Sequence, residues 1–253
     1  MPTLIELFIY IVIFLYGIVI GSFLNVCIYR VPKKESILSR SHCMNCGYTL
    51  RWYDLFPVFS FLLLKGRCRK CGTKLSLQYP LIEALNGILY VIVFWANGLN
   101  WSSILYCLMT SALIVISVID ERTFEIPVVA NVFILFLGAV SVVLNLENWA
   151  DHVIGMVCVS VCLYLLYVLS AGQAIGGGDV KLMGAAGLLL GWKAITLAFF
   201  VGCILGAFIH VIRMKVSKAE RRLAMGPYLA AGIFICALWG DNMIQWYLRL
   251  AGL

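Results

Sequence analysis

Apolar residues run along this chain in long blocks, broken by short polar stretches. Eight blocks stand out, at residues 4–26, 81–97, 101–119, 127–146, 151–171, 180–191, 193–212 and 225–248. Most are nearly free of charge and close to the roughly 20 residues a helix needs to cross a bilayer. The pattern predicts an all-α polytopic membrane protein with about eight transmembrane helices. The sixth block is the short one, bounded by three glycines at 176–178 and by Gly191. Residues 180–212 suit two short or tilted helices and are too long for one. The first block lacks a basic start and carries Glu6, so it reads as a helix that stays in the protein and not as a cleaved signal peptide.

Composition strengthens this reading. The chain is 63% hydrophobic and 12% charged, whereas a soluble domain is about half apolar and a quarter charged. The net charge of +7 is uneven. Residues 30–79 hold ten Lys or Arg against two acids, Glu35 and Asp54. A second basic stretch, "RMKVSKAERR", covers 213–222. In a membrane protein such clusters report orientation before they report nucleic acid, because loops rich in Lys and Arg stay in the cytoplasm. With loop 30–80 inside, eight crossings bring the second cluster inside as well, and seven would leave it outside. The same count puts Asp120, at the end of the third block, and Asp179, at the start of the sixth, on the cytoplasmic edge.

The ten cysteines divide into two kinds. Six lie in or beside apolar blocks: Cys27, Cys107, Cys158, Cys162, Cys203 and Cys236. There a free thiol behaves as a small hydrophobe. The other four form "CMNC" (Cys43, Cys46) and "CRKC" (Cys68, Cys71) inside the basic loop. Each C-x-x-C places two thiolates on one turn, and two such knuckles complete a tetrahedral site for a structural zinc ion. A glycine follows each pair, at Gly47 and Gly72, as the turn requires. The alternative is a redox dithiol pair.

Carboxylates beside the bilayer are costly and point to function. Two brought close together share a proton, which suits acid–base attack of water on a carbonyl. From the residues alone, Asp179 also reads as a cap for the helix that follows it, and Asp120 as an ordinary charge at the membrane edge.

Longer motifs narrow the choice. "GSFLNVCIYRVP" (21–32), the cysteine loop continuing as "RWYDLFPVFSFLLLKGRCRKCG" and "LQYPLIEALNG", "DERTFEIP" (120–127), "GGGDVKLM" (176–183) and "AMGPYLAAG" (224–232) follow one another through most of the chain. Together they resemble the type IV prepilin peptidase family, membrane aspartic proteases of the G-x-G-D kind. The resemblance implies Asp120 and Asp179 as the catalytic pair, and Cys43, Cys46, Cys68 and Cys71 as zinc ligands. It implies prepilin or pseudopilin substrates, cut at the cytoplasmic face of the inner membrane between a basic leader and a hydrophobic helix. It further implies methylation of the new N-terminus with S-adenosylmethionine. Two positions depart from the family pattern: Met44 stands where proline is common, and Val128 where an acid is frequent.

The resulting expectation has three parts: a first helix at 1–29, a zinc-binding loop domain at 30–80, and a helical peptidase domain at 81–253. Gly176, Gly177, Gly178 and Lys181 are expected to form the substrate loop around Asp179. Asn25 and Glu83 are polar residues within apolar surroundings, with a polar role or plain interhelical hydrogen bonding as the choices. The lipid bilayer is the other expected partner, and no nucleic acid is. The residues taken without the resemblance leave room for a zinc scaffold without catalysis, or for a proton-coupled carrier. The carrier would need acids at the midplane and repeated halves, and neither is visible here.

Overall fold

The computed structural model describes residues 4–173, 175–217 and 223–252. Ala174 and part of the second basic cluster, including Lys218, Arg221 and Arg222, lie outside the described residues. Each apolar block becomes a helix. In chain order these are α1 (Leu4–Arg30), a short α2 (Phe59–Leu63) in the cysteine loop, α3 (Gln78–Asn97), α4 (Trp101–Thr123), α5 (Val128–Leu144), α6 (Trp149–Leu169), α7 (Gly177–Leu190), α8 (Trp192–Ser217) and α9 (Gly226–Ala251). Among the described residues there is no β-strand, only two isolated bridges in the loop.

Six of these helices are long and apolar enough to cross a membrane by length and composition: α1, α3, α4, α6, α8 and α9. The chain is therefore a multi-pass membrane protein. α5 has 17 residues and α7 has 14. At 1.5 Å per residue these are only ~26 and ~21 Å long. Both are apolar; α7 is largely enclosed by its neighbours, and α5 packs one face against it.

The chain forms two compact units, Met1–Leu99 and Asn100–Leu253. In the first, α1 crosses α3 through small residues. A Cβ on Gly17 would stand 2.6 Å from the Gly87 Cα, and one on Gly21 would stand 2.7 Å from the Glu83 Cα. Backbones approach this closely only where side chains are missing, the usual device for packing helices in lipid. At the end of α1, the buried Arg30 guanidinium donates to the carbonyls of Ser36, Ser39 and Arg40, which folds the loop back onto the helix.

The second unit is built around α4 and α7. Met109 and Ile116 of α4, Leu182, Met183 and Leu189 of α7, and Leu229 and Ile233 of α9 are almost fully buried in one core. The outward faces of α5, α6 and α8 expose Val132, Phe136, Leu165, Phe200, Ile204 and Phe208. An apolar exterior around a packed interior is what lipid as solvent demands.

Candidate active site and metal cluster

Asp120 lies one turn before the end of α4. The helix stops at Phe124, whose left-handed backbone (φ 56°) lets its N–H close on the Asp120 carbonyl at 2.8 Å. The Asp120 side chain is 5% exposed. Its Oδ2 accepts the N–H of Gly226, the first residue of α9, at 2.8 Å. The positive end of the α9 dipole thus faces this carboxylate. Gly226 can stand there only because it has no side chain: a Cβ would lie 2.7 Å from Oδ2 and 3.0 Å from the Asp120 Cβ and Cγ.

Asp179 occupies the third position of α7, after the cap Gly176. Its Oδ2 turns back toward Gly176, whose N–H acts favourably on the carboxylate's charge. The cap position itself is taken by Gly176, and Asp179 is the acid of the first turn, where it complements the helix dipole. The other oxygen, Oδ1, is buried with no hydrogen-bond partner among the described residues. Asp120 and Asp179 lie close enough for the charge of one to act on the other. Two helix ends, far apart in sequence, have brought two carboxylates into one site.

None of the three glycines before Asp179 takes a left-handed backbone. Their need is for space. A Cβ on Gly178 would meet the Ile126 Cβ at 2.8 Å, and one on Gly176 would meet Asp179 Oδ2 at 3.1 Å. Gly177 has only ordinary contact with the Tyr167 ring, at 3.7 Å. The segment leading into α5 is thus pressed onto the entrance of α7. From α5, the buried Asn131 donates its Nδ2 to the Gly178 carbonyl at 3.4 Å. Sequence reasoning passed over Asn131, although an amide in the apolar run "VVANVFILF" was a visible signal. Lys181 is exposed. Beside the site, Glu121 pairs with Arg213 at 2.9 Å.

In the first unit the four cysteines form one cluster, with all four sulfurs within 4.8 Å of one another. The Cys43 and Cys71 sulfurs are 3.8 Å apart, and those of Cys46 and Cys68 are 4.0 Å apart. A tetrahedron with Zn–S bonds of about 2.3 Å has edges of about 3.8 Å, so the donors are set for such an ion. The two knuckles repeat each other. Gly47 and Gly72, at φ 68° and 69°, each return an N–H to the first cysteine carbonyl at 2.9 Å. Antiparallel bridges, His42 with Thr49 and Arg67 with Lys74, close both turns. The glycine requirement read from the sequence is met at both.

Asp54, one of only two acids in the loop, braces the second knuckle. Its carboxylate accepts Arg69 Nε at 2.6 Å, the Arg51 N–H at 3.2 Å and the Tyr48 hydroxyl at 3.2 Å. Burial works against its charge, but the Arg69 guanidinium and the other donors outweigh that and hold the carboxyl below its ordinary range.

Asn25 and Glu83 both make hydrogen bonds within the first unit. Asn25 donates to the Tyr79 carbonyl at 3.2 Å, and Glu83 accepts the Val58 N–H at 2.7 Å. Val58 has φ 60°, a costly conformation for a β-branched residue, and the Glu83 bond helps hold it. Both residues line a cavity of about 1000 Å³ whose walls include Val19, Phe23, Val26 and Tyr29.

Family models match in two stretches. Residues 15–97 match the bacterial peptidase A24 N-terminal domain, and residues 107–211 match the type IV leader peptidase family. Three similar proteins carry the name prepilin leader peptidase/N-methyltransferase. The Bacillus subtilis protein is 31% identical over 95% of this chain and 98% of its own. That of Aeromonas hydrophila is 31% identical over 93% and 92%. That of Neisseria gonorrhoeae is 32% identical over 92% of each. No solved structure matches the chain.

Proposed function

The chain belongs to the type IV leader peptidase family, and from that premise we propose that it cleaves prepilin-like substrates with Asp120 and Asp179 as a catalytic pair. The observation that carries the reading is their shared arrangement. Each carboxylate comes from a different helix, each stands at a helix start (Asp120 on the N–H of Gly226, Asp179 in the first turn of α7), and the charge of Asp120 acts on Asp179. Such a pair holds one proton between two carboxyls. The ionised member takes a proton from water as the water oxygen bonds to the scissile carbonyl carbon. The protonated member gives its proton to the carbonyl oxygen. Collapse of that adduct breaks the C–N bond, and the leaving amine nitrogen takes up a proton.

The substrate we propose has a basic leader and a hydrophobic helix. The excess of Lys and Arg in residues 30–79 supports a cytoplasmic place for the loop, and the count of helices supports the same edge for the aspartates. Lys181 then faces the headgroups. The bacterial inner membrane is the matching location. Single Asp120→Asn and Asp179→Asn variants test the pair. Both should leave a prepilin-like substrate uncut, and wild-type cleavage by either one refutes the reading.

Two groups accompany this proposal. A zinc ion held by Cys43, Cys46, Cys68 and Cys71 would tie the two knuckles together and have a structural role, since four thiolates leave no open position. S-adenosylmethionine suits the cavity of the first unit, which has the size of a small-molecule site, apolar walls and a few polar groups. Asn25 and Glu83 would hold it there. Bound, it would supply an electrophilic methyl group for the amine that cleavage frees. Mass spectrometry of a processed substrate reads both steps, the cut and the added methyl.

A further inference from the structure

Two buried oxygens in the second unit have no hydrogen-bond partner among the described residues: Asp179 Oδ1 and Asn131 Oδ1. An unpaired buried acceptor is costly, and each one in a native structure calls for a reason. Asn131 is 4% exposed and stands on the first turn of α5. Its Nδ2 lies on the Gly178 carbonyl at 3.4 Å. The oxygen and nitrogen of one carboxamide are held rigidly side by side, so Oδ1 sits at the same entrance to α7. Flipping the amide would set two acceptors against each other at Gly178, which fixes the orientation.

The entrance therefore presents acceptors without a matching donor. The proposed substrate supplies the opposite. A helical segment must unwind before its scissile carbonyl can be reached, and unwinding frees backbone N–H groups. In apolar surroundings each freed N–H is costly until it is paired. The two deficits cancel only when the substrate is bound.

We propose that Asn131 is a substrate-binding residue of the peptidase site, its Oδ1 accepting a backbone N–H of the unwound substrate beside the bond to be cut. The proposal rests on the peptidase reading above. It gives α5 a direct part in the site, through the same close packing that sets Ile126 against Gly178.

The test is an ester scan. Synthetic prepilin-like peptides are made in which one backbone amide near the cut becomes an ester, which keeps the shape and removes the N–H. These are cleaved by the full chain in lipid nanodiscs. At one position the ester should cost the wild type about tenfold in kcat/KM, the scale of one lost buried hydrogen bond. In Asn131→Ala the same ester should cost less than about twofold, because its partner is already gone. A purely structural Asn131 would slow all substrates alike and leave the ester penalty unchanged, and that result overturns the proposal. So does a wild-type scan in which no ester costs anything, as would follow if water alone paired the two oxygens. That scan needs no variant. If Asn131→Ala does not fold, Asn131→Ser, too short to reach, replaces it with the same expected loss of ester sensitivity. A wild-type chain that fails to cut the all-amide peptide would refute the peptidase reading instead.

Discussion

Gly226→Ala is the most searching perturbation of the aspartate site. The new Cβ would lie 2.7 Å from Asp120 Oδ2 and 3.0 Å from the Asp120 Cβ and Cγ. Comfortable carbon contacts begin at about 3.5 Å, so the start of α9 and the end of α4 must separate by roughly 0.5–1 Å. The Asp120 Cβ and Cγ cannot swing clear as a chain end could, and Pro227 restricts the backbone that would have to adjust. Overpacking of this kind costs about 1–3 kcal/mol. The Gly226 N–H bond to Asp120, now 2.8 Å, would stretch as well, and a hydrogen bond to a charged group is worth about 1.5–3 kcal/mol. Misplacing a reacting group by about 1 Å costs on the order of 100-fold in rate. The expected outcome is a folded protein with cleavage of a prepilin-like substrate down about 100-fold. Peptide cleavage in nanodiscs measures the rate, and thermal melting reports the fold. Gly240→Ala is the control on the same helix, since its Cβ would meet Cys236 at an ordinary 3.5 Å. If Gly226→Ala cuts within about twofold of the wild type, the contact between α9 and Asp120 does not set the site.

Three further outcomes follow from the same contacts. Gly178→Ala, whose Cβ would meet Ile126 at 2.8 Å, should lose about tenfold or more in cleavage rate, while Gly177→Ala beside Tyr167 at 3.7 Å should stay within about threefold; equal losses would refute the close-packing account. Metal analysis of the purified chain should find one zinc per molecule, and Cys46→Ser or Cys68→Ser should lose it; less than one equivalent in the wild type counts against a structural ion. Asp54→Asn should release that metal to a chelator about tenfold faster. Because the Asp54 carboxyl is held below its ordinary range, its contribution is full above the unfolded value near 4 and is lost only as pH falls through the lower folded value. The difference between variant and wild type should therefore be the same at pH 6 and pH 8, and a difference that changes across that window refutes the assignment.

Much of the fold was legible because lipid imposes a simple code. Every apolar block became a helix, including the doubtful one at 180–191, which is α7 (Gly177–Leu190). Gly191, at φ 82°, is the punctuation that separates α7 from α8. The cysteine knuckles were legible for a similar reason. Spacing and glycine position determine a local turn, and local turns do not depend on the rest of the chain. Helix contacts were not legible. That α7 sits at the centre of its unit, pressed by α5, α6 and α8, depends on which small residues face each other, and hydropathy does not encode facing.

The same distinction explains the aspartate site. Sequence reasoning found the two carboxylates because charges beside a bilayer are conspicuous. It weighed a capping role beside the catalytic one for Asp179 and left room for both. The structure leaves the same room, because one carboxylate has two oxygens. Oδ1 is left unpaired while Oδ2 turns back toward Gly176. Asp120 shows the same economy across a longer distance, with Oδ2 held by the N–H that opens α9. In both cases a helix start orients the carboxylate, and at Asp179 the oxygen Oδ1 stays unpaired. Glycine at Gly176 and Gly226 is what lets backbone come this close. The glycines expected to form a substrate loop are clearances in the structure, and a clearance can be recognised only once its neighbour is known.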